Sequence, residues 1–178
     1  VVGVRGMVEG DVVAVSAIRV AGWRAAYAGL VPQSYLDAMD VAEDSARRRA
    51  LLAAGAGRVR NLVAVEAAGD GAEHVVGWAA FGPCRGEPED SATGELYALY
   101  VRPDRIGTGA GRALTAAVIG QAAEHGRRDL VLWVLADNSR ARRFYARAGF
   151  SPDGSEATDT YDGVPLREVR YARGLREL

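Results

Sequence analysis

A chain of 178 residues, 49% of them hydrophobic, is sized for one domain around a single substantial core. Its 22 basic and 23 acidic residues leave a formal net charge of -1, which provides no global field for nucleic acid. One cysteine, Cys84, excludes an internal disulfide or a CxxC motif, the scattered His74 and His125 make no zinc site, and no apolar run reaches membrane-spanning length.

Acidic Glu9 and Asp11 stand where a signal peptide would be basic and then apolar, so the expectation is a cytoplasmic protein with no metal and no membrane or nucleic-acid partner. Val1 to Val8 reads as a first strand, ended by Gly10. Asp11 is placed to cap a helix over Val12 to Tyr27, which stops at Gly29-Leu30-Val31-Pro32. Trp23 and Tyr27, one turn apart, share a face and read either as core anchors or as the lining of a substrate cleft. From Pro32 to about Ala54 the pattern is helical again, with Arg47, Arg48 and Arg49 as a solvated face. After a turn over Gly55 to Arg60, the runs Asn61 to Ala67 and His74 to Phe81 form an antiparallel hairpin joined by Gly69-Asp70-Gly71. His74, at its edge, reads as a surface residue. Pro83 to Thr93 is a loop rich in glycine, proline and acid, including Glu87, Glu89 and Asp90.

The strand from Glu95 to Val101 follows, with Leu96, Ala98 and Tyr100 alternating against Glu95, Tyr97, Leu99 and Val101. Pro103 stops it. Gly107, Gly109 and Gly111 then leave the backbone bare where a helix opens, to end near Gly126. A helix start presents unpaired N–H groups and a positive dipole end, which suits an anion such as phosphate. Asp129 to Leu135 is a nearly continuous apolar run, as in a strand covered on both faces. Asn138 or Asp137 caps a helix carrying Ala141, Phe144, Tyr145 and Ala148 on one side, and Gly149 closes it. Thr158 to Tyr161, Asp162-Gly163 and Arg167 to Arg173 make a closing hairpin. This order predicts an α/β fold of the α+β type, a mixed sheet with helices on its faces.

The glycine loop admits several readings. A Walker loop requires Gly-Lys-Ser/Thr after the glycines, and Arg112-Ala113 stands there instead. A dinucleotide fingerprint requires a sixth-position glycine directly after a strand; here the sixth position is Arg112 and a gap follows Val101, although Asp137 after the next strand keeps that option alive. A bare glycine turn without a ligand also remains.

The segment Glu95 to Leu114 resembles the acetyl-CoA-binding motif of the GCN5-related N-acetyltransferase (GNAT) family, a Gln/Arg-x-x-Gly-x-Gly/Ala loop opening a helix. On this chain that loop is Ile106-Gly107-Thr108-Gly109-Ala110-Gly111, with Ile106 at the usual Gln/Arg position and Arg105 adjacent. Leu132 to Phe150 is similar to the same family's second motif: a strand, an asparagine at a helix start, a tyrosine two turns on, and a Gly-Phe exit. Trp23 to Pro32 is also similar to bacterial members, whose first helices wall the acceptor site.

The resemblance implies a single GNAT-like domain with a largely antiparallel central sheet and helices on both faces. Residues 1–92 would form mainly the acceptor side, 93–150 the acetyl-CoA motifs and 151–178 the closing hairpin. It implies an N-acetyltransferase that moves acetyl from acetyl-CoA to a primary amine of a small molecule or peptide by direct attack in a ternary complex. A homodimer is a further family-level expectation. The pyrophosphate would lie on Thr108 to Arg112, including Gly109, Ala110 and Gly111, beside Ile106 and Gly107; backbone near Leu99, Tyr100 and Val101 would pair with the pantetheine arm. Arg105 and Arg112 would add charge-assisted contacts. Asn138 would bond the same arm, Arg142 would belong to the cofactor-binding set, and Tyr145 would sit by the thioester sulfur.

A tyrosine of ordinary pKa near 10 is protonated at neutral pH, so Tyr145 is the candidate acid for the departing thiolate. Glu95, at the strand start and by alternation on the face of Tyr97, Leu99 and Val101, is the candidate base; a solvated strand-end glutamate is the other reading. An acetyl-enzyme on Cys84 lacks a paired histidine. Trp23, Tyr27, Trp78, Phe81 and Tyr97 are candidates for an aromatic acceptor pocket, rimmed by Glu87, Glu89 and Asp90, which favours a cationic acceptor. The alternative function is a CoA-binding sensor or interaction module without transferase activity.

Overall fold

The computed structural model describes residues 1–55, 57–69 and 71–175. Ala56 within the expected 55–60 turn, Asp70 of the Gly69-Asp70-Gly71 turn, and residues 176–178 of the closing segment lie outside the described residues. Seven strands run through it: β1 (Val2–Gly6), β2 (Arg60–Ala67), β3 (Glu73–Pro83), β4 (Thr93–Val101), β5 (Asp129–Leu135), β6 (Ser151–Tyr161) and β7 (Val164–Gly174). They form one sheet in the order β1-β2-β3-β4-β5-β7-β6, antiparallel throughout except for β4 beside β5. The helices are α1 (Val12–Ala26), α2 (Gln33–Asp37), α3 (Val41–Ala54), α4 (Ala110–Glu124) and α5 (Ser139–Arg147).

The helices divide between the faces. Helix α4 buries Ala110, Leu114, Val118 and Ala122, spaced one turn apart, into a core with Leu62, Val76, Phe81, Leu96, Leu130 and Leu132. Ala141 and Tyr145 of α5 pack on that same core. On the other face, Val15 of α1 meets Val63, Val65, Trp78 and Ala80, while Trp23 and Tyr27 join Leu36, Leu135 and Tyr161.

Two features of β4 shape the middle of the sheet. Its parallel pairing with β5 covers only Thr93 to Glu95, opposite Asp129 to Val131. Past Glu95, β4 is bonded to β3 alone and β5 to β7 alone, so the sheet opens as a wedge. The second feature is a bulge. Ala80 faces Ala98 but Phe81 faces Leu96, which leaves Tyr97 as an extra residue. An inserted residue reverses the alternation beyond it. The expected faces are therefore corrected: Leu96, Leu99 and Val101 pack on the α4 side, and Tyr97, Ala98 and Tyr100 on the α1 side.

Three local expectations also change. Asp11 makes no side-chain cap for α1; its carboxylate accepts the Val8 N–H at 2.9 Å and pairs with Arg5 at 2.8 Å. The helical stretch after Pro32 breaks into two, because Asp40 restarts it as the cap of α3, accepting the Glu43 N–H at 2.8 Å. Arg48 is not solvated like Arg47 and Arg49, since it binds Asp44 at 3.0 Å and lies over the Trp78 ring at 4.2 Å.

Candidate functional site

The loop between β4 and α4 keeps its glycines in the left-handed region, with φ of 89° at Gly107 and 100° at Gly109, the residue that precedes the helix. Gly111 serves packing: a Cβ there would stand 3.3 Å from the Phe144 ring of α5. The N–H groups of Gly109, Ala110, Gly111 and Arg112 begin the helix and have no acceptor within it. The Thr108 N–H is turned back to the Arg105 carbonyl at 3.3 Å, so it is less free than expected. Arg105 is also spoken for, donating to Glu66 of β2 at 3.0 Å. Arg112 is exposed, and Ile106 is 43% exposed with its side chain outside the core.

Where β4 and β5 part, side chains from both faces meet. Tyr145, on α5, packs edge-to-face on Phe144 and Phe150, with ring centroids 5.3 and 6.0 Å away. Its hydroxyl makes no hydrogen bond among the described residues, and it lies within electrostatic reach of Tyr100 on β4 and of Tyr27, which caps the end of α1. Burial pushes all three hydroxyls up: Tyr27 to about 12, Tyr100 and Tyr145 well above the ordinary tyrosine value. All three thus remain protonated at neutral pH. The Trp23 indole N–H is buried and makes no well-formed hydrogen bond, although it lies near enough to the Tyr100 hydroxyl to favour its ionised form.

Asn138 is 9% exposed and caps α5, accepting the Ala141 N–H at 3.2 Å with its side-chain oxygen. Its amide NH2 makes no hydrogen bond among the described residues and is available to a ligand. Arg142, expected to contact the same ligand, points elsewhere. It donates to the Ala136 carbonyl at 2.8 Å and the Tyr171 hydroxyl at 3.0 Å, bracing α5 against β5 and β7.

Glu95 is neither solvated nor free. It is 1% exposed, and its carboxylate accepts the Arg85 N–H at 2.9 Å and the Arg85 Nε at 3.0 Å. A carboxylate held this way anchors the 83–93 loop, so the reading of Glu95 as a solvated strand-end glutamate is corrected. Two acids of the expected rim have partners: Glu89 pairs with Arg58 at 3.2 Å, and Glu87 accepts from Ser91.

The five aromatic residues expected to line one pocket fall in four places. Trp23 and Tyr27 pack together at 4.6 Å near Tyr35 and Tyr161, on the wall of the wedge. Tyr97 lies under Arg85 at 5.3 Å and donates to the Pro83 carbonyl. Trp78 is 5% exposed, sandwiched between Arg48 and Tyr100 and hydrogen-bonded to Asn61 at 3.0 Å, which makes it core. Phe81 is core on the opposite face, against α4.

Sequence reasoning missed the Tyr100 side chain, Arg85 and Glu168. Tyr100 reaches the wedge only because the bulge turns it there. Glu168 is half-buried on β7, with its pKa raised by burial and by Asp159. In the run Arg167-Glu168-Val169-Arg170-Tyr171 it looks like part of a solvated polar face, and no sequence signal separates it. Among the described residues, no group of three or more His, Cys, Asp or Glu could hold a metal ion, and no helix is long and apolar enough to cross a membrane.

The chain is similar to known proteins over most of its length. The family model described as "Acetyltransferase (GNAT) family" matches residues 23–150. The "Uncharacterized N-acetyltransferase YuaI" of Bacillus subtilis (strain 168) is 32% identical over 161 residues, spanning 89% of this chain and 85% of that one. Mycothiol acetyltransferase of Kocuria rhizophila is 46% identical over 65 residues, which is 36% of this chain and 22% of that protein. In fold, the chain is similar to the PaiA N-acetyltransferase from Thermoplasma acidophilum in complex with coenzyme A, with a TM-score of 0.73 at 17% identity over 98% of this chain and 99% of that one.

Proposed function

This chain belongs to the GNAT acetyltransferase family and is an N-acetyltransferase, and from that premise we propose that it transfers acetyl from acetyl-CoA to a primary amine by direct attack in a ternary complex. The observation that carries this reading is the convergence of three features on the wedge: the N–H groups at the start of α4, the unpaired edge of β4, and the free Tyr145 hydroxyl. Pyrophosphate fits the first, since helix-start N–H groups and bare glycine backbone suit an anion that must approach closely. An amide-bearing arm fits the second, because the edge of β4 past Glu95 offers main-chain donors and acceptors that no strand covers. The Asn138 amide adds a donor on the opposite bank.

The chemistry follows from what each group can do. Nitrogen attacks the acyl carbon, the C–N bond forms and the C–S bond breaks. The departing thiolate takes a proton, for which Tyr145 is the proposed donor. Its raised pKa supports this role in one respect, because burial keeps the hydroxyl protonated at neutral pH. The proposed acceptor side is the α1 wall, with Trp23 and Tyr27, and the α1 face of the sheet, where Tyr97 lies. The proposed division of labour is residues 1–92 for acceptor, 93–150 for acetyl-CoA and 151–175 for closing the wedge.

A panel of primary amines with acetyl-CoA, followed by release of free thiol, tests the reading. At least one amine should release thiol in proportion to enzyme. Tight CoA binding without turnover across the panel would leave a binding module in place of an enzyme.

A further inference from the structure

Strand β7 turns Leu166, Glu168 and Arg170 to the same face of the sheet. In the β5–β7 ladder Glu168 stands opposite Leu135 and Arg170 opposite Trp133, so these side chains share the face on which α1 and α2 pack. Across the β6–β7 ladder Ala157 opposes Glu168 and Asp159 opposes Leu166. Asp159 is therefore the diagonal neighbour of Glu168 on that face. Two carboxylates thus lie together beside the wedge.

Among the described residues neither carboxylate has a cation of its own. Arg170 is taken by Asp153 at 2.6 Å, and Arg85 by Glu95 at 3.0 Å. Among the described residues Glu168 makes no ion pair. The charged and titratable groups facing it are Tyr27 at the end of α1, Arg85 from the β3–β4 loop, and Asp159 and Tyr161 from β6. A half-buried carboxylate beside a second acid, without a paired cation, is costly to keep ionised. Burial first, and then Asp159, raise the Glu168 pKa, while Arg85 and Tyr161 restrain the rise.

Tyr27 ties this acid to the transfer centre. Its hydroxyl is within electrostatic reach of both Tyr145 and Glu168. Glu95, in contrast, is held by Arg85 and is not free to receive a proton without breaking that pair.

Resting on the acetyltransferase reading above, we infer that Glu168 receives the acceptor: its carboxylate pairs with the ammonium of a cationic amine and takes the proton that must leave before nitrogen attacks. The balance closes without a further reactant. Of the three ammonium protons, one stays on the product amide and one passes to Glu168 and then to solvent. The third leaves nitrogen as the C–N bond forms and replaces the proton that Tyr145 gives to the CoA sulfur. Asp159 is a positioning residue in this scheme: its charge makes Glu168 a stronger base and draws cations to the wedge.

The test is the pH dependence of kcat/KM with an amine that the wild-type enzyme acetylates. Wild-type kcat/KM should fall on the acid side as Glu168 protonates. Glu168→Gln should lower kcat/KM near neutral pH by about a hundredfold or more and move the acid limb up to the amine's own pKa, so that rate recovers only as pH climbs toward it. Acetyl-CoA affinity by calorimetry should stay unchanged in this variant. Asp159→Asn removes a like charge, so its acid limb should move to lower pH with the fold intact. Glu168→Gln with the wild-type rate and acid limb, or Asp159→Asn with an unmoved limb, would overturn the assignment of Glu168. A wild-type enzyme that acetylates no amine would overturn instead the reading on which it rests.

Discussion

Replacing Tyr145 by Phe removes one oxygen and keeps the ring that packs on Phe144 and Phe150. Acetyl-CoA affinity should hold, while single-turnover acetylation should slow by about 10²–10⁴-fold, the usual contribution of a positioned acid. Because burial keeps this hydroxyl above its ordinary value of 10.0, wild-type turnover should show no alkaline limb from Tyr145 below that pH. A variant with undiminished rate would remove Tyr145 from the chemistry. The Arg85–Glu95 pair makes a second residue-scale case, in which the two partners are unequal. Glu95 is 1% exposed, whereas the Arg85 side chain is 69% exposed. Arg85→Ala leaves a buried carboxylate with one N–H donor. Glu95→Gln leaves a guanidinium that water can still reach, and the amide oxygen still accepts. Urea unfolding should therefore find Arg85→Ala the more destabilising. Its cost should stay below the roughly 3–5 kcal/mol of breaking a fully buried pair, because Arg85 is partly solvated.

At the scale of elements, the start of α4 concentrates the proposed cofactor contact in backbone that only glycine tolerates. Gly109→Leu places a branched side chain at φ 100°, in the left-handed region, at a cost of about 1–2 kcal/mol. It also covers the N–H groups proposed to face the pyrophosphate. Calorimetry should show CoA affinity falling by more than tenfold, with circular dichroism unchanged; unaltered affinity would sink the loop assignment. The loop was legible because glycine spacing and a following apolar helix are local signals. Strand β5 and the Asp162-Gly163 turn were legible for the same reason, a continuous apolar run and a pair suited to positive φ (47° and 78°). The bulge at Tyr97 was not, since Leu96 to Val101 reads as an unbroken alternation and only the register against β3 reveals the extra residue. Every assignment of faces past Leu96 turned on it. Glu168 was hidden by a different cause, as Tyr27, which reaches it from the end of α1, is distant in sequence.

Over the whole molecule, the acids divide by the sign of their coupling to folding. Asp11 and Asp44 are held below their ordinary range: Asp11 by its bonds to Arg5, Asp44, against the cost of its burial, by the nearby Ser16 hydroxyl and the guanidinium groups of Arg48 and Arg19, which donate to it at 3.0 and 2.9 Å. Their stabilisation is complete above the unfolded carboxylate value and is lost as pH falls through the folded one. Asp11→Asn should therefore unfold more easily than wild type at neutral pH, and the difference should shrink on acidification. Glu168 has the opposite sign. Its folded pKa lies above the ordinary 4.5, so between those two values the folded state holds more proton than the unfolded state. Stability then declines as pH rises through that window, and above it the deficit stays constant. Glu168→Gln should consequently be more stable than wild type at pH about 8, with the two converging as pH falls below the unfolded glutamate value. Urea unfolding at both pH values reads this directly. A gain in stability at neutral pH together with a loss of turnover would mark Glu168 as a residue kept ionised for the acceptor at the expense of the fold. Equal stability at both pH values would mean that its carboxylate is as well solvated in the folded chain as in the unfolded one.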